Sequence, residues 1–132
     1  MEEKRTLIEA AKKAKEGAYC PYSGFAVGAA LLSADGRIFT GSNVENAAYG
    51  ECICAERTAF VKAVSAGVRS FCMIAVISDS KTPTAPCGSC RQVMAEFCSP
   101  EFRILMCDAA GVCEEITLKE LLPYAFSLEE HR

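Results

Sequence analysis

Histidine is almost missing: the 132-residue chain has one, His131, within its last two residues. A metal site in the body of the chain must therefore draw its ligands from other residue types. An excess of basic residues is missing too. Lys and Arg number 14 against 17 Asp and Glu, a formal charge of -3. A surface for nucleic acid needs a basic patch to neutralise phosphates, so an RNA or DNA substrate is disfavoured. The cluster Lys12-Lys13-Ala14-Lys15 reads as the solvated face of a helix. No segment approaches the roughly 18 consecutive apolar residues of a membrane span. The charged start Met1 to Arg5 leads into no apolar run of the kind that marks a secretory leader. Linkers, repeats and low-complexity segments are also lacking. Residues 1–132 are expected to form a single domain working in the cytoplasm.

What is abundant is cysteine, nine in all. Without a secretory signal, such a count points to a reducing compartment and away from a disulfide framework. Three of the thiols stand in a pattern discussed below. Cys20, Cys52, Cys72, Cys98, Cys107 and Cys113 are expected to behave as small hydrophobes.

Apolar spacing organises the rest. Leu7, Ile8, Ala11 and Ala14 recur at helical intervals, predicting an amphipathic helix over 4–16 that stops at Gly17. Residues 25–33 form a β-capable run, Asp35-Gly36 signals a hairpin, and 37–42 return as a second strand. Residues 43–52 are polar and irregular. From Cys54 a helix shows Ala55, Ala59, Phe60, Ala63 and Val64 on one face, with Gly67 as its cap. The run 71–78 is apolar throughout, as in a strand covered on both faces. A helix over 87–98, strands over 102–107 and 112–116, and a short helix capped by Thr117 and ended by Pro123 complete the order. The last two strands should be antiparallel, since Ala110-Gly111 allows only a tight turn. The expected class is α/β, with a mixed sheet and helices on both faces.

Cys54-Ala55-Glu56 and, some thirty residues on, Pro86-Cys87-Gly88-Ser89-Cys90 are the most informative features. Three thiols can hold one zinc ion and leave its fourth position open, as catalytic sites do and structural sites usually do not. Cys87 and Cys90 share a helix face at three-residue spacing. Helix N-termini near Cys54 and Cys87 favour the thiolate form. Glu56 is placed to handle protons beside the open position. A P-C-x-x-C pair with a non-ligand Glu resembles the pattern of zinc nucleobase deaminases. Three thiolates weaken zinc as a Lewis acid, so hydrogen bonds from Arg57, Arg91 or Gln92 to the sulfurs are expected to compensate. Cys52 is an alternative fourth ligand, which would close the site and make it structural.

The chain also resembles the small homotetrameric cytidine deaminases of nucleoside salvage. The resemblance runs through YCPYSGFAVGAA (19–30), GSNVENAAY (41–49), CAERTA (54–59), PCGSCRQV (86–93) and LLPYAF (121–126). It implies a three-layer α-β-α fold on a five-stranded mixed sheet, with one zinc per chain on Cys54, Cys87 and Cys90 and Glu56 as proton shuttle. It implies hydrolytic deamination of cytidine and 2'-deoxycytidine by zinc-activated water. By the same resemblance Asn43 and Glu45 bind the ribose, Phe25 packs on the pyrimidine, and backbone near Ala55 and Cys87 reads the base. Tyr49 would sit at an interface near the site, and Phe126 would enter a neighbouring subunit's pocket. Phe25 and Phe126 also read as core aromatics, and Asn43 and Asn46 as turn residues. Alternative functions are deamination of a cytidine-like antibiotic such as blasticidin S, and a non-catalytic zinc-stabilised module.

Overall fold

The structure, a computed structural model, describes residues 2–128, so His131 lies outside the described residues. The chain runs α1 (Glu2–Lys15), β1 (Val27–Ser33), β2 (Ile38–Ser42), a 3-10 turn (Tyr49–Glu51), α2 (Ala55–Ser65), β3 (Phe71–Ser78), α3 (Gly88–Phe97), β4 (Arg103–Cys107), β5 (Cys113–Thr117) and α4 (Leu118–Leu121). The five strands form one sheet in the order β2-β1-β3-β4-β5. β3 and β4 are parallel, and the other pairs are antiparallel, including β4 with β5. The sheet is therefore mixed, as expected.

Alternation along the strands divides the core between two faces. Ala30, Leu32, Met73, Ala75, Ile77 and Leu105 pack with Leu7 and Ala11 of α1. Ala29, Leu31, Ile74, Val76, Ile104 and Met106 pack with Ala55, Ala59, Phe60 and Ala63 of α2 and Met94 of α3. Phe60 is the largest fully buried side chain. Its ring meets Phe71 edge-on at 5.2 Å and stacks near Phe97 at 6.3 Å. Burying such a side chain stabilises the fold by about 1.5–3 kcal/mol.

The ends of the elements follow local chemistry. After α2, Gly67 takes φ +93°. Its N–H bonds the Val64 carbonyl and that of Val68 bonds Ala63, a full Schellman stop. Thr117 and Glu120 form a reciprocal capping box at α4. β1 begins at Val27, two residues later than predicted. The reason is Asn43, whose Oδ1 accepts from Val27 N and whose Nδ2 donates to the Phe25 carbonyl. A side-chain amide there replaces the sheet ladder. Gly41 lets α2 sit directly on β2: a Cβ there would lie 2.4 Å from the Ala55 carbonyl oxygen.

One expectation is corrected. Cys107 and Cys113 are joined by a disulfide and do not act as separate small hydrophobes. They are directly opposed in the β4–β5 register, with Cα atoms 4.0 Å apart. Their opposition depends on strand register, which the spacing of six residues does not reveal. The other seven cysteines are free thiols.

Candidate metal centre and active site

Cys54 caps the N-terminus of α2, and Cys87 caps that of α3. Cys90 lies in the first turn of α3 and is buried. The two helix starts converge as expected. Cys54 Sγ is 3.6 Å from Cys87 Sγ, and Cys87 Sγ is 3.4 Å from Cys90 Sγ. All three sulfurs lie within 4.8 Å of one another. Cys52 is not among them. Its sulfur accepts from the Asn46 N–H at 3.3 Å and faces that residue's carbonyl, so the alternative fourth ligand is turned away.

The sulfurs fit a divalent cation on their own chemistry. A hydrogen bond from Cys90 draws the Cys54 thiol down to about 5, with Cys87 and Arg57 adding to it against the cost of burial. The same contact pushes Cys90 up, helped by burial and by the neighbouring Glu56 and Cys54 charges. Protons alone can stabilise one thiolate here only by holding another sulfur protonated. A cation relieves that conflict, and three thiolate donors with an open position suit zinc.

Glu56 follows Ala55 in the first turn of α2 and is 5% exposed. Burial lifts its carboxyl to about 7, and the Cys54 charge pushes the same way. Its own backbone N–H, Cys90 and Arg57 oppose the rise. The side chain is thus poised to exchange a proton near neutrality.

Arg57 follows Glu56 in α2 and also lines the cleft over the thiols. Its positive charge favours the Cys54 thiolate, and Nη2 donates to the Cys52 carbonyl at 3.3 Å. Arg91 and Gln92 are directed elsewhere. Arg91 Nε donates to the Pro86 carbonyl and Nη1 to that of Leu121, while Gln92 Nε2 donates to the Phe126 carbonyl. On α3 these side chains face the C-terminal segment, so they brace it instead of serving the sulfurs.

A cleft of about 450 Å³ opens over the centre. Its wall carries Phe25, Asn43, Glu45, Tyr49, Cys54, Ala55, Glu56, Arg57 and Cys87. Residues from three stretches, near 25, over 43–57 and over 84–87, thus meet in one place. Phe126 lies outside this cleft. It is 61% exposed and borders a separate cavity of about 470 Å³ beside α4. That cavity holds none of the thiol ligands or Glu56. Thr84, Ala85 and Ile53 also line the cleft and carried no signal in the sequence. Ser23 was missed too: its hydroxyl donates to Glu45 Oε2, and the Tyr22 and Ser23 N–H groups hold Oε1 at 3.0 and 3.1 Å.

A two-faced α/β sheet with an open three-thiol centre and a buried carboxyl beside it defines a zinc enzyme of the hydrolytic kind. Comparison with known proteins narrows the class. The zinc-binding region of the cytidine and deoxycytidylate deaminases matches residues 1–106. The chain is 56% identical over 124 residues to a cytidine deaminase of Sporosarcina psychrophila, covering 94% of this chain and 91% of that one. It is 52% identical to a cytidine deaminase of Halalkalibacterium halodurans, covering 97% of each. The crystal structure of a cytidine deaminase from Burkholderia pseudomallei superposes with a TM-score of 0.90 at 51% identity, covering 92% of this chain and 98% of that one. The chain belongs to the cytidine and deoxycytidylate deaminase family.

Proposed function

We propose that this protein is a zinc-dependent cytidine deaminase that hydrolyses cytidine and 2'-deoxycytidine to the uridine nucleosides and ammonia, in pyrimidine salvage. The observation that carries the proposal is Glu56, buried beside three converging thiols at the base of a cleft walled by Phe25, Asn43 and Glu45.

Zinc held by Cys54, Cys87 and Cys90, one ion per chain, supplies a Lewis acid that lowers the pKa of a water toward neutrality. Glu56 takes a proton from the attacking water. It delivers that proton to the ring nitrogen beside the carbon bearing the amine, then takes the second proton from the hydroxyl now on that carbon and gives it to the amine as the C–N bond breaks. A carboxyl near pH 7 can serve as base first and acid second. Phe25 packs on the pyrimidine, backbone at Ala55 reads it, and Asn43 and Glu45 pair the ribose hydroxyls as donor and acceptor. Arg57 withdraws charge from the Cys54 sulfur.

We place Tyr49 and Phe126 at contacts between subunits of a homotetramer, with Phe126 completing a neighbour's cleft. The support is that Tyr49 is 80% exposed at the cleft's rim and Phe126 lies outside its own chain's cleft. A cytoplasmic setting suits seven free thiols, three of which oxidation would cost the metal site.

The test is ammonia release from cytidine by wild type and Glu56→Ala, each with its zinc content measured. Expected is turnover at about one zinc per chain, reduced by roughly 10²–10⁴-fold or more in the variant with zinc retained. No turnover by the zinc-loaded wild type would discard cytidine as the substrate.

A further inference from the structure

Glu45 is held at both carboxylate oxygens by one loop. Oε1 accepts two backbone N–H groups, from Tyr22 and Ser23. Oε2 accepts the Ser23 hydroxyl. A carboxylate has about four acceptor positions. Three are taken, and the one left is on Oε2, the oxygen that Ser23 orients. The loop itself is fixed to the segment after β2 that carries Glu45. Tyr19 N donates to the Asn43 carbonyl at 2.9 Å, and Glu45 N donates to the Tyr19 carbonyl at 2.8 Å. Gly24, with φ +68°, turns the chain back after Ser23.

The Ser23 oxygen has a second task. It accepts the Phe25 N–H at 3.0 Å. Phe25 is also held from its other side, where its carbonyl accepts from Asn43 Nδ2 at 2.9 Å. Among the described residues, Glu45 has no such second side-chain brace on Oε2. Removal of the Ser23 hydroxyl therefore falls mainly on Glu45, because Asn43 continues to hold Phe25.

We infer that Ser23 is a positioning residue for sugar recognition, directing the single open acceptor of Glu45 Oε2 at one hydroxyl of the substrate's sugar. The inference rests on the proposed role of Glu45 as the sugar-binding carboxylate. The hydroxyl contributes specificity for a substrate with that sugar hydroxyl and has no part in the chemical step. Ionised Glu45 is the form that accepts, and the hydrogen bonds from Ser23 hold its carboxyl below the ordinary range.

The experiment compares KM for 2'-deoxycytidine with the competitive Ki of 2',3'-dideoxycytidine, which lacks the remaining ring hydroxyl. Wild type, Ser23→Ala, Ser23→Thr and Glu45→Gln are measured, with zinc content and Tm beside them. A hydrogen bond to a charged group governs roughly 10–100-fold in affinity. Ser23→Ala is expected to raise KM for deoxycytidine by about that factor, leaving kcat within roughly threefold and the dideoxycytidine Ki within roughly twofold. Ser23→Thr, which keeps the hydroxyl, restores most of the loss. Added to Glu45→Gln, the Ser23→Ala change has little further effect on KM. Equal weakening of both nucleosides by Ser23→Ala would mean a general collapse of the loop and overturn the inference. So would a loss confined to kcat, or an unchanged KM. If wild type binds both nucleosides equally, or Glu45→Gln leaves their ratio unchanged, the sugar role of Glu45 falls and the role of Ser23 with it. Neither result would touch the deaminase reading, which fails only if wild type does not turn over cytidine.

Discussion

The Gln92 side-chain amide donates to the Phe126 carbonyl at 3.0 Å, tying the middle of α3 to the segment after α4. Arg91, one residue earlier, holds the Leu121 carbonyl at 2.9 Å. The helix that begins at Cys87 thus also fixes the path of the C-terminal segment. If Phe126 completes a neighbour's cleft, Gln92→Ala should act on binding and not on metal. Expected is a several-fold rise in KM for cytidine with zinc content and chelator resistance unchanged. Loss of zinc in Gln92→Ala, by metal analysis after chelator dialysis, would instead place Gln92 on the sulfurs.

Arg57 is a basic side chain whose charge acts on the thiol cluster, chiefly on Cys54. Removing it leaves the negative charge on the thiolates uncompensated. Neighbours of this kind typically govern 10–100-fold in metal affinity or activity. Arg57→Ala is expected to lose zinc to a chelator at roughly 10-fold lower concentration than wild type, with slower turnover. Unchanged zinc retention together with unchanged turnover would refute the role.

The three-thiol cluster with Glu56 beside it was legible because its signal is local: the spacings within 54–56 and 86–90 already imply two helix starts with sulfurs at their tips. The strand faces were legible from apolar alternation, and the two-sided sheet from the unbroken run over β3. What escaped depends on contacts far apart in sequence. Ser23 and Glu45 are 22 residues apart, Gln92 and Phe126 are 34 apart, and nothing in either neighbourhood announces the pairing. The outward direction of Gln92 follows from which face of α3 packs on α2, a tertiary fact. The Cys107–Cys113 bond depends on register, which a shift of one residue in the turn would have undone.

That bond closes a short loop, so its effect on stability is modest. The chain-entropy relation for a loop this short gives about 2 kcal/mol. Cys113→Ser is expected to lower unfolding free energy by about that amount, without loss of zinc, because β5 lies at the sheet edge away from the thiol cluster. Alkylation in denaturant with chelator and no reductant should label seven of the nine cysteines. Labelling of all nine would show the bond absent.

Asp79 joins the end of α1 to the approach of β1. Oδ1 accepts from Lys15 Nζ at 2.9 Å and Oδ2 from Ala26 N at 3.2 Å. The Lys15 contact first, and the Ala26 N–H second, hold its carboxyl below the ordinary 3.8. A depressed folded value means that the stabilisation is present above about pH 3.8 and lost as pH falls through the lower folded value. The pair is partly exposed and screened by solvent, so its worth is about 0.5–1 kcal/mol at neutral pH and low salt. Asp79→Asn should cost about that much near pH 7 and make the acid limb of the stability curve shallower. An acid limb identical to wild type would remove Asp79 from the account.

Gly41 offers the sharpest test of how the fold positions the centre. A methyl group there would stand 2.4 Å from the Ala55 carbonyl oxygen and 2.6 Å from the Ala59 nitrogen. Both are backbone atoms of α2, so no rotamer change can make room, and the helix itself must move from β2. Overpacking of this kind costs about 1–3 kcal/mol or more. Cys54 and Glu56 begin that same helix, so the displacement reaches the thiol cluster and the buried carboxyl together. Gly41→Ala should therefore lower Tm and reduce turnover by more than the unfolded fraction explains. Gly50→Ala, at a site where an added Cβ meets nothing within 4 Å, should leave Tm unchanged. Full activity in folded Gly41→Ala would mean that α2 can withdraw from the sheet without disturbing its first turn, and the rigid link drawn from β2 to the metal centre would be wrong.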